Sequence, residues 1–400
     1  MESITKIFRI GTGPSSSHTM GPERAAEIFK KRCPEVPRYK VILYGSLAAT
    51  GKGHLTDKAL KKVLGNRLKI IWNPGEELPF HPNAMKFYAL NEIASVITEA
   101  TFYSTGGGAI TEGEEINPDN KTYSLTRLEE IINHCKESNQ TLHEYVYCCE
   151  GKTLLPYLDS VWKTMNSSID NGLQKKGLLP GKLKLKRKAR HVFRSANKTV
   201  SQFSSSGLIS AYALSVSEEN AGGGVIVTAP TCGSCGVIPG VLRYLQSTLI
   251  CDNTLIRNAL ATAGLIGSIV KHNGSISGAE AGCQAEIGTA CAMAAASAAQ
   301  LLGGNLNQIE YAAEMGMEHH LGITCDPVCG LVQIPCIERN AFAANRALTC
   351  ATYSIATGGD HIISFDDVVQ VMIETGKHIS PHYRETSKGG LARMYQMKHS

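Results

Sequence analysis

Two periodicities divide the chain. Up to about residue 120, the runs Lys40-Val-Ile-Leu-Tyr44 and Arg67-Leu-Lys-Ile-Ile-Trp72 read as short strands, and Glu99 to Ser104 as another leading into Gly106-Gly107-Gly108. Between them Glu23 to Lys31 and Thr56 to Leu64 carry helical spacing. This mixture predicts a small N-terminal α+β domain over residues 1–118, closed by the polar stretch Thr111 to Asn120. Beyond it the pattern turns helical: Ser124 to Lys136, Leu142 to Glu150, Leu154 to Gly172, Leu208 to Glu218, Val237 to Leu249, Thr254 to Val270, Ala285 to Leu302, Gln308 to His319 and Ala341 to Ile355. Residues 122–400 are therefore expected to form a larger all-α domain. The segment Ala285 to Leu302 is apolar nearly all round and should lie in the middle of a bundle.

Composition narrows the class. With 43% hydrophobic and 19% charged residues over 400 positions, the chain can bury a sizeable core. Its net charge of +5 is local, because Lys175 to Arg190 alone holds six Lys and two Arg with no acid. That run lacks aromatic interleaving, so it reads as a solvated or domain-facing patch and no nucleic-acid partner is expected. No apolar run reaches the roughly 20 residues of a membrane span, and no secretory pattern opens the sequence, so a soluble cytoplasmic protein without membrane contact is expected. In that compartment the 13 cysteines point to metal binding, catalysis or burial rather than to disulfides.

Candidate chemistry collects between the helices. Cys283 lies between Gly282 and Gln284, Cys325 precedes Asp326-Pro327, and Cys336 follows Pro335, so each falls at a turn or helix end, where a soft metal ligand suits better than a core thiol. Their spacings of 42 and 11 residues match no ferredoxin run. Cys232-Gly-Ser-Cys235 has neither a thioredoxin context nor a second CxxC, and reads as a tight turn lining the cavity. Near the start, Ser15-Ser16-Ser17-His18-Thr19 precedes a helix and offers donors to an anionic group. The stretch Tyr44 to His54 fails the P-loop test, since Lys52 is followed by Gly53, but it leaves His54 on a glycine-flanked turn suited to acid/base work. His81-Pro-Asn83 and Ser104 to Gly108 add polar loop ends; His81, His319 and His320 fit structural roles as readily as chemical ones.

Taken together, Gly-Pro-Ser-Ser-Ser-His-Thr-Met-Gly-Pro, Gly-Ser-Leu-Ala-Ala-Thr-Gly-Lys-Gly-His, Ile-Ser-Gly-Ala-Glu-Ala-Gly-Cys-Gln-Ala-Glu, Gly-Ile-Thr-Cys-Asp-Pro-Val and Gln-Ile-Pro-Cys-Ile-Glu-Arg-Asn resemble the iron–sulfur-dependent bacterial L-serine dehydratases, in the form with both domains fused. The likeness runs from about Phe8 to Ala392. It implies a [4Fe-4S] cluster on Cys283, Cys325 and Cys336 with one iron left open as a Lewis acid, no pyridoxal phosphate, and elimination of water from L-serine to give pyruvate and ammonia. By the same resemblance His54 and His18 are candidates for base or proton carrier, and Ser15, Ser16, Ser17, Asn83 and Gly106 for substrate binding; the small-residue helices and the fused domains make a homodimer the expected form. The N-terminal domain is similar to a small-molecule-binding domain of 3-phosphoglycerate dehydrogenases. Fused members can end in a cysteine that reaches the open iron, whereas this sequence closes Met397-Lys398-His399-Ser400. Water is the expected cap there, with Cys329, Ser400 or the terminal carboxylate as substitutes. Action on L-threonine and a non-catalytic iron–sulfur sensor are the competing readings.

Overall fold

A computed structural model describes residues 1–113, 121–198 and 203–399. Most of the polar break expected between the domains, residues 114–120, lies outside them. Seven strands occur among the described residues: β1 Ile10–Thr12, β2 Arg38–Tyr44, β3 Leu68–Asn73, β4 Ala84–Leu90, β5 Val96–Gly106, β6 Ala109–Glu112 and β7 Val225–Val227. Five form one sheet in the order β3-β2-β4-β5-β6, with β2 and β3 parallel and the other neighbours antiparallel. Alternation along β2 buries Tyr39, Val41 and Leu43 on one face. Helices Gly21–Arg32 and Thr56–Leu64 cover that face, setting Ala25, Phe29, Leu60 and Leu64 against Val41, Phe87 and Phe102.

The larger part is mostly helical, and the α+β architecture expected from the pattern is the one found. Its centre is the helix Thr289–Leu301, buried from Thr289 through Ala299 and packed between helices Asn253–Asn273, Leu306–Glu318 and Cys336–Ala356. Small side chains make that packing close: a Cβ on Gly316 would stand 2.9 Å from the backbone of Ala292. The expected helix Ala285 to Leu302 begins later than its apolar pattern, because Gln284–Gly288 forms one wide π turn ahead of it. Helices Ala189–Lys198, Phe365–His378 and Gly390–His399, and strand β4, were not foreseen from the pattern.

The larger part is not all-α, because β7 belongs to it and pairs antiparallel with β1, Ile10 opposite Val227. The first residues of the chain explain this. Ile4, Ile7 and Phe8 are fully buried in the helical core, over Gly264 and Gly267, whose missing side chains make the room. The N-terminal ammonium donates to the Tyr123 carbonyl at 2.7 Å, and Ser3 Oγ and Ile4 N each reach the Glu150 carboxylate at 2.6 Å. The lysines of the basic run are exposed and Arg187 turns inward, 3.5 Å from Glu219; Lys175 Nζ donates to Glu219 at 2.7 Å and Lys188 Nζ to Glu338 at 2.8 Å. No described helix is long and apolar enough to cross a membrane.

Candidate active site

Three connections of the helical part bring the cysteines together. A short helix, Gly278–Ala281, ends in Gly282 with φ +75°, and Cys283 N then donates to the Ile323 carbonyl at 3.0 Å. Cys325 pairs with the C-terminal segment, donating to Tyr383 O at 2.7 Å and accepting from Glu385 N at 2.6 Å. Cys336 opens the helix that also carries Arg339 and Asn340, and Asn340 fixes the neighbouring turn by accepting from Gly236 N and donating to Gly233 O.

The electrostatics of these thiols are uneven. A hydrogen bond from Cys325, with Arg339 beside it, lowers the Cys283 thiol to about 6. The same bond and burial hold Cys325 well above the ordinary thiol range, and burial raises Cys336. Two carboxyls face the group. Glu286 accepts from Thr231 Oγ1 at 2.7 Å, and its other oxygen lies 3.8 Å from Cys325 Sγ; burial and Cys283 push it well above the carboxylate range. Glu385 is pushed up to about 7 by burial and then by Cys283. Arg339, whose Nη1 donates to Thr324 O at 2.7 Å, is the cation that meets the thiols.

Three thiols and two carboxyls around one guanidinium make a cradle with more potential negative charge than positive. That donor set suits a soft, positively charged inorganic group. No three His, Cys, Asp or Glu side chains among the described residues converge on a single metal ion. Convergence is not what an iron–sulfur cluster needs, since its thiolates bind different irons. Gly278 keeps the cradle open: a Cβ there would lie 2.7 Å from Glu286 Oε2 and 3.2 Å from Cys325 Sγ.

The N-terminal part supplies the opposite wall. The loop carrying His54 rests on the turn between Cys325 and Cys336, where a Cβ on Gly53 would come 2.8 Å from Gly330 O. His54 is fully buried, and neither ring nitrogen has a hydrogen-bond partner among the described residues. Its backbone is held by Thr50 O and by Thr19 Oγ1 at 2.6 Å, and its ring centroid lies 4.6 Å from that of His18. His18 meets Ser17 Oγ at Nδ1, 2.8 Å, and Ser46 Oγ at Nε2, 3.3 Å. Burial lowers His18 to about 4 and His54 well below the usual imidazole value, so both rings are neutral at physiological pH.

The serine run is partly spent on local structure. Ser15 caps a wide turn, Ser16–Met20, by accepting from His18 N, and Ser17 bonds the His18 ring; Ser16 is buried beside them. Asn83 is different: it is fully buried, and both of its amide atoms lack a partner. Ser104 Oγ and His81 Nε2 are likewise buried and unpaired, with His81 3.7 Å from Glu280. Gly106, at φ +97°, and Gly107, at φ +55°, turn the chain against Ser277 and Ile276, immediately before the cysteine cradle. Buried polar atoms without partners are costly and uncommon, and several on one wall mark a place built for a ligand.

Ser104, Glu286, Glu385 and Arg339 belong to this site but were not singled out as site residues by the sequence. Glu286 and Arg339 each follow a cysteine by three residues, a signal available only once those cysteines are known to matter; Glu385 gave none. Cys232 and Cys235 are buried among Ile169, Tyr212, Val216 and Ile226, so their turn reaches the site through Thr231 rather than through sulfur. His320 is a structural histidine, bonded to Gly316 O at 2.7 Å and lowered to about 4 by burial; with His319 it lines a cleft of about 1350 Å³ that Arg339 and Pro335 also border. A cleft of about 610 Å³ runs past Thr50 and Gly53, close to His54 in the chain, past Thr386, next to Glu385, and past Cys329.

Comparison with known proteins covers both parts of the chain. The family profile "Serine dehydratase beta chain" matches residues 3–68 and 61–115, and "Serine dehydratase alpha chain" matches residues 93–392. L-Serine dehydratase of Haemophilus influenzae is 38% identical over 450 residues, covering 98% of this chain and 99% of the relative. L-Serine dehydratase of Streptomyces coelicolor is 38% identical with 98% of each covered, and L-serine dehydratase 1 of Escherichia coli is 39% identical with 98% of this chain and 99% of the relative covered. With the beta-type match over the sheet and the alpha-type match over the helices, this chain belongs to the serine dehydratase family, both units joined in one polypeptide.

Proposed function

We propose that the chain is an L-serine ammonia-lyase of the iron–sulfur type, with residues 1–118 and 122–400 as its two domains. In this reading Cys283, Cys325 and Cys336 hold a [4Fe-4S] cluster, without pyridoxal phosphate. When bound, the cluster supplies Lewis acidity for a leaving hydroxyl that water alone expels poorly. The chain's own groups supply the rest. His54, neutral with both ring nitrogens unfilled, takes the α-proton, and His18 beside it carries the proton onward along Ser17 or Ser46. Asn83 and Gly106, with Ser15, Ser16 and Ser17, bind the substrate carboxylate and amine and hold Cα against His54. The closely fitted loops exclude water until elimination has given 2-aminoacrylate, whose imine tautomer hydrolyses to pyruvate and ammonia.

The observation that carries this reading is the opposition of two unlike walls: a thiol cradle with surplus negative charge, and buried His54 and Asn83 whose hydrogen-bonding atoms await a partner. A cytoplasmic homodimer is the proposed working form. Anaerobic reconstitution with iron and sulfide, followed by a pyruvate assay on L-serine, D-serine and L-threonine, tests it. Turnover of L-serine that tracks a broad visible absorption bleached by air is expected. A bound cluster with no pyruvate from any of the three overturns it in favour of a sensor.

A further inference from the structure

The lyase reading, on which this inference rests, leaves one part of the substrate without a charged counterpart. L-Serine carries an ammonium group beside its carboxylate and hydroxyl. His54, Asn83 and Ser104 are neutral, and three N–H bonds of a cation withdrawn from water call for a negatively charged acceptor. Three carboxyl groups stand by the site. Glu280 is half exposed, with one oxygen accepting from Ser275 Oγ and the other 3.7 Å from His81. Glu286 is engaged by Thr231 Oγ1 and faces Cys325 Sγ.

Glu385 is the exception. No hydrogen-bond donor among the described residues meets its carboxylate, and the nearest basic atom, His18 Nδ1, is 3.9 Å away and already meets Ser17 Oγ at 2.8 Å. Its main chain is nonetheless pinned: Glu385 N donates to Cys325 O at 2.6 Å and its carbonyl accepts from Ser46 Oγ at 3.4 Å. Glu385 also has φ +57°, a left-handed conformation that a non-glycine residue keeps only where its surroundings impose it, commonly at functional sites. The chain thus holds a carboxylate between the histidine pair and the thiols and leaves its oxygens unclaimed.

We propose that Glu385 receives the ammonium group of the substrate amino acid, making the C-terminal segment part of the substrate site. With the carboxylate held on the opposite wall by Asn83, the two polar ends of serine are then fixed from different parts of the chain. Substrates and inhibitors lacking the amino group lose this contact, whereas those lacking the hydroxyl keep it.

The test uses the reconstituted holoenzyme and two unreactive competitors of L-serine, L-alanine with the ammonium and L-lactate without it. In Glu385→Gln the inhibition constant of L-alanine and the KM for L-serine should each rise tenfold or more, while that of L-lactate changes less than twofold. Glu385→Asp, which keeps the charge and tolerates the left-handed backbone, should recover part of the loss. Equal changes for the two competitors, or none, overturn the assignment while leaving the lyase reading intact. Wild-type holoenzyme that makes no pyruvate from L-serine removes the lyase reading and this inference with it. Should neither variant fold, the wild-type protein still decides, since binding L-lactate as tightly as L-alanine excludes an anionic partner for the ammonium.

Discussion

The two walls of the site are built on opposite principles. On the helical side most polar groups have partners, the Glu385 carboxylate excepted: Cys283 with Cys325 and Arg339, Glu286 with Thr231, Asn340 with three backbone groups. On the sheet side His54, Asn83 and Ser104 are buried with none. A wall whose groups satisfy one another can hold a permanent occupant in a fixed geometry. A wall with unfilled hydrogen bonds carries a cost in the empty protein that a transient ligand removes, which is how binding energy is made available to a substrate.

The sharpest way to break this contrast is at the cysteines. Replacing Cys283, Cys325 or Cys336 by Ser should abolish the visible absorption of the reconstituted protein and reduce pyruvate formation by on the order of a thousandfold or more, the several kcal/mol that a Lewis-acidic metal contributes. Any of the three that keeps full iron content and activity removes that thiol from the cradle. His54→Asn should leave iron content and absorption unchanged while kcat falls by roughly 100- to 10,000-fold, the range of general-base catalysis. Unchanged turnover would pass the role of base to another group.

The seam between the walls is tested by Gly53→Ala. The added methyl would stand 2.8 Å from Gly330 O, so the His54 loop must move, and an ångström of displacement should cost roughly tenfold to a hundredfold in kcat with the cluster intact. Activity equal to wild type would mean the loop position is not what sets the base.

His18 links the contrast to pH. Its folded value of about 4 lies below the ordinary 6.5, so between those values the unfolded chain takes up a proton that the buried ring does not, and the native state loses stability as pH falls through that window. His18→Asn lacks this penalty. The stability difference between variant and wild type should therefore move toward the variant by up to roughly 3 kcal/mol between pH 7 and pH 4, read from denaturant melts. A difference independent of pH would refute a buried neutral imidazole. The smallest effect is expected at Asn83: Asn83→Ala should raise KM for L-serine about tenfold, the worth of one hydrogen bond to a charged group, without lowering the melting temperature of the ligand-free protein.

Much of this architecture was legible in the residues. Helices Thr56–Leu64, Leu142–Glu150 and Val237–Leu249 follow their apolar spacing to the residue, because their apolar positions are the ones the core buries. What failed was non-local. Strand β7 has three residues and no periodicity, and it exists because β1 lies beside it. The first eight residues fall within the stretch assigned to the N-terminal α+β domain, yet Ile4, Ile7 and Phe8 belong to the helical core, since only the folded bundle presents the glycine groove that accepts them.

The sequence by itself determined the family, the helical and sheet-forming halves, and the cysteines and histidines worth attention, because these are carried by residue type, local spacing and extended motifs. Tertiary structure alone decided which groups face one another. Glu385 is separated from His18 and from Cys283 by long stretches of chain, and no local rule relates them. Only packing of the C-terminal segment along Cys325, and of the Gly53 turn onto Gly330, brings carboxylate, imidazoles and thiols into one enclosure, where burial, hydrogen bonds and neighbouring charges shift their titration.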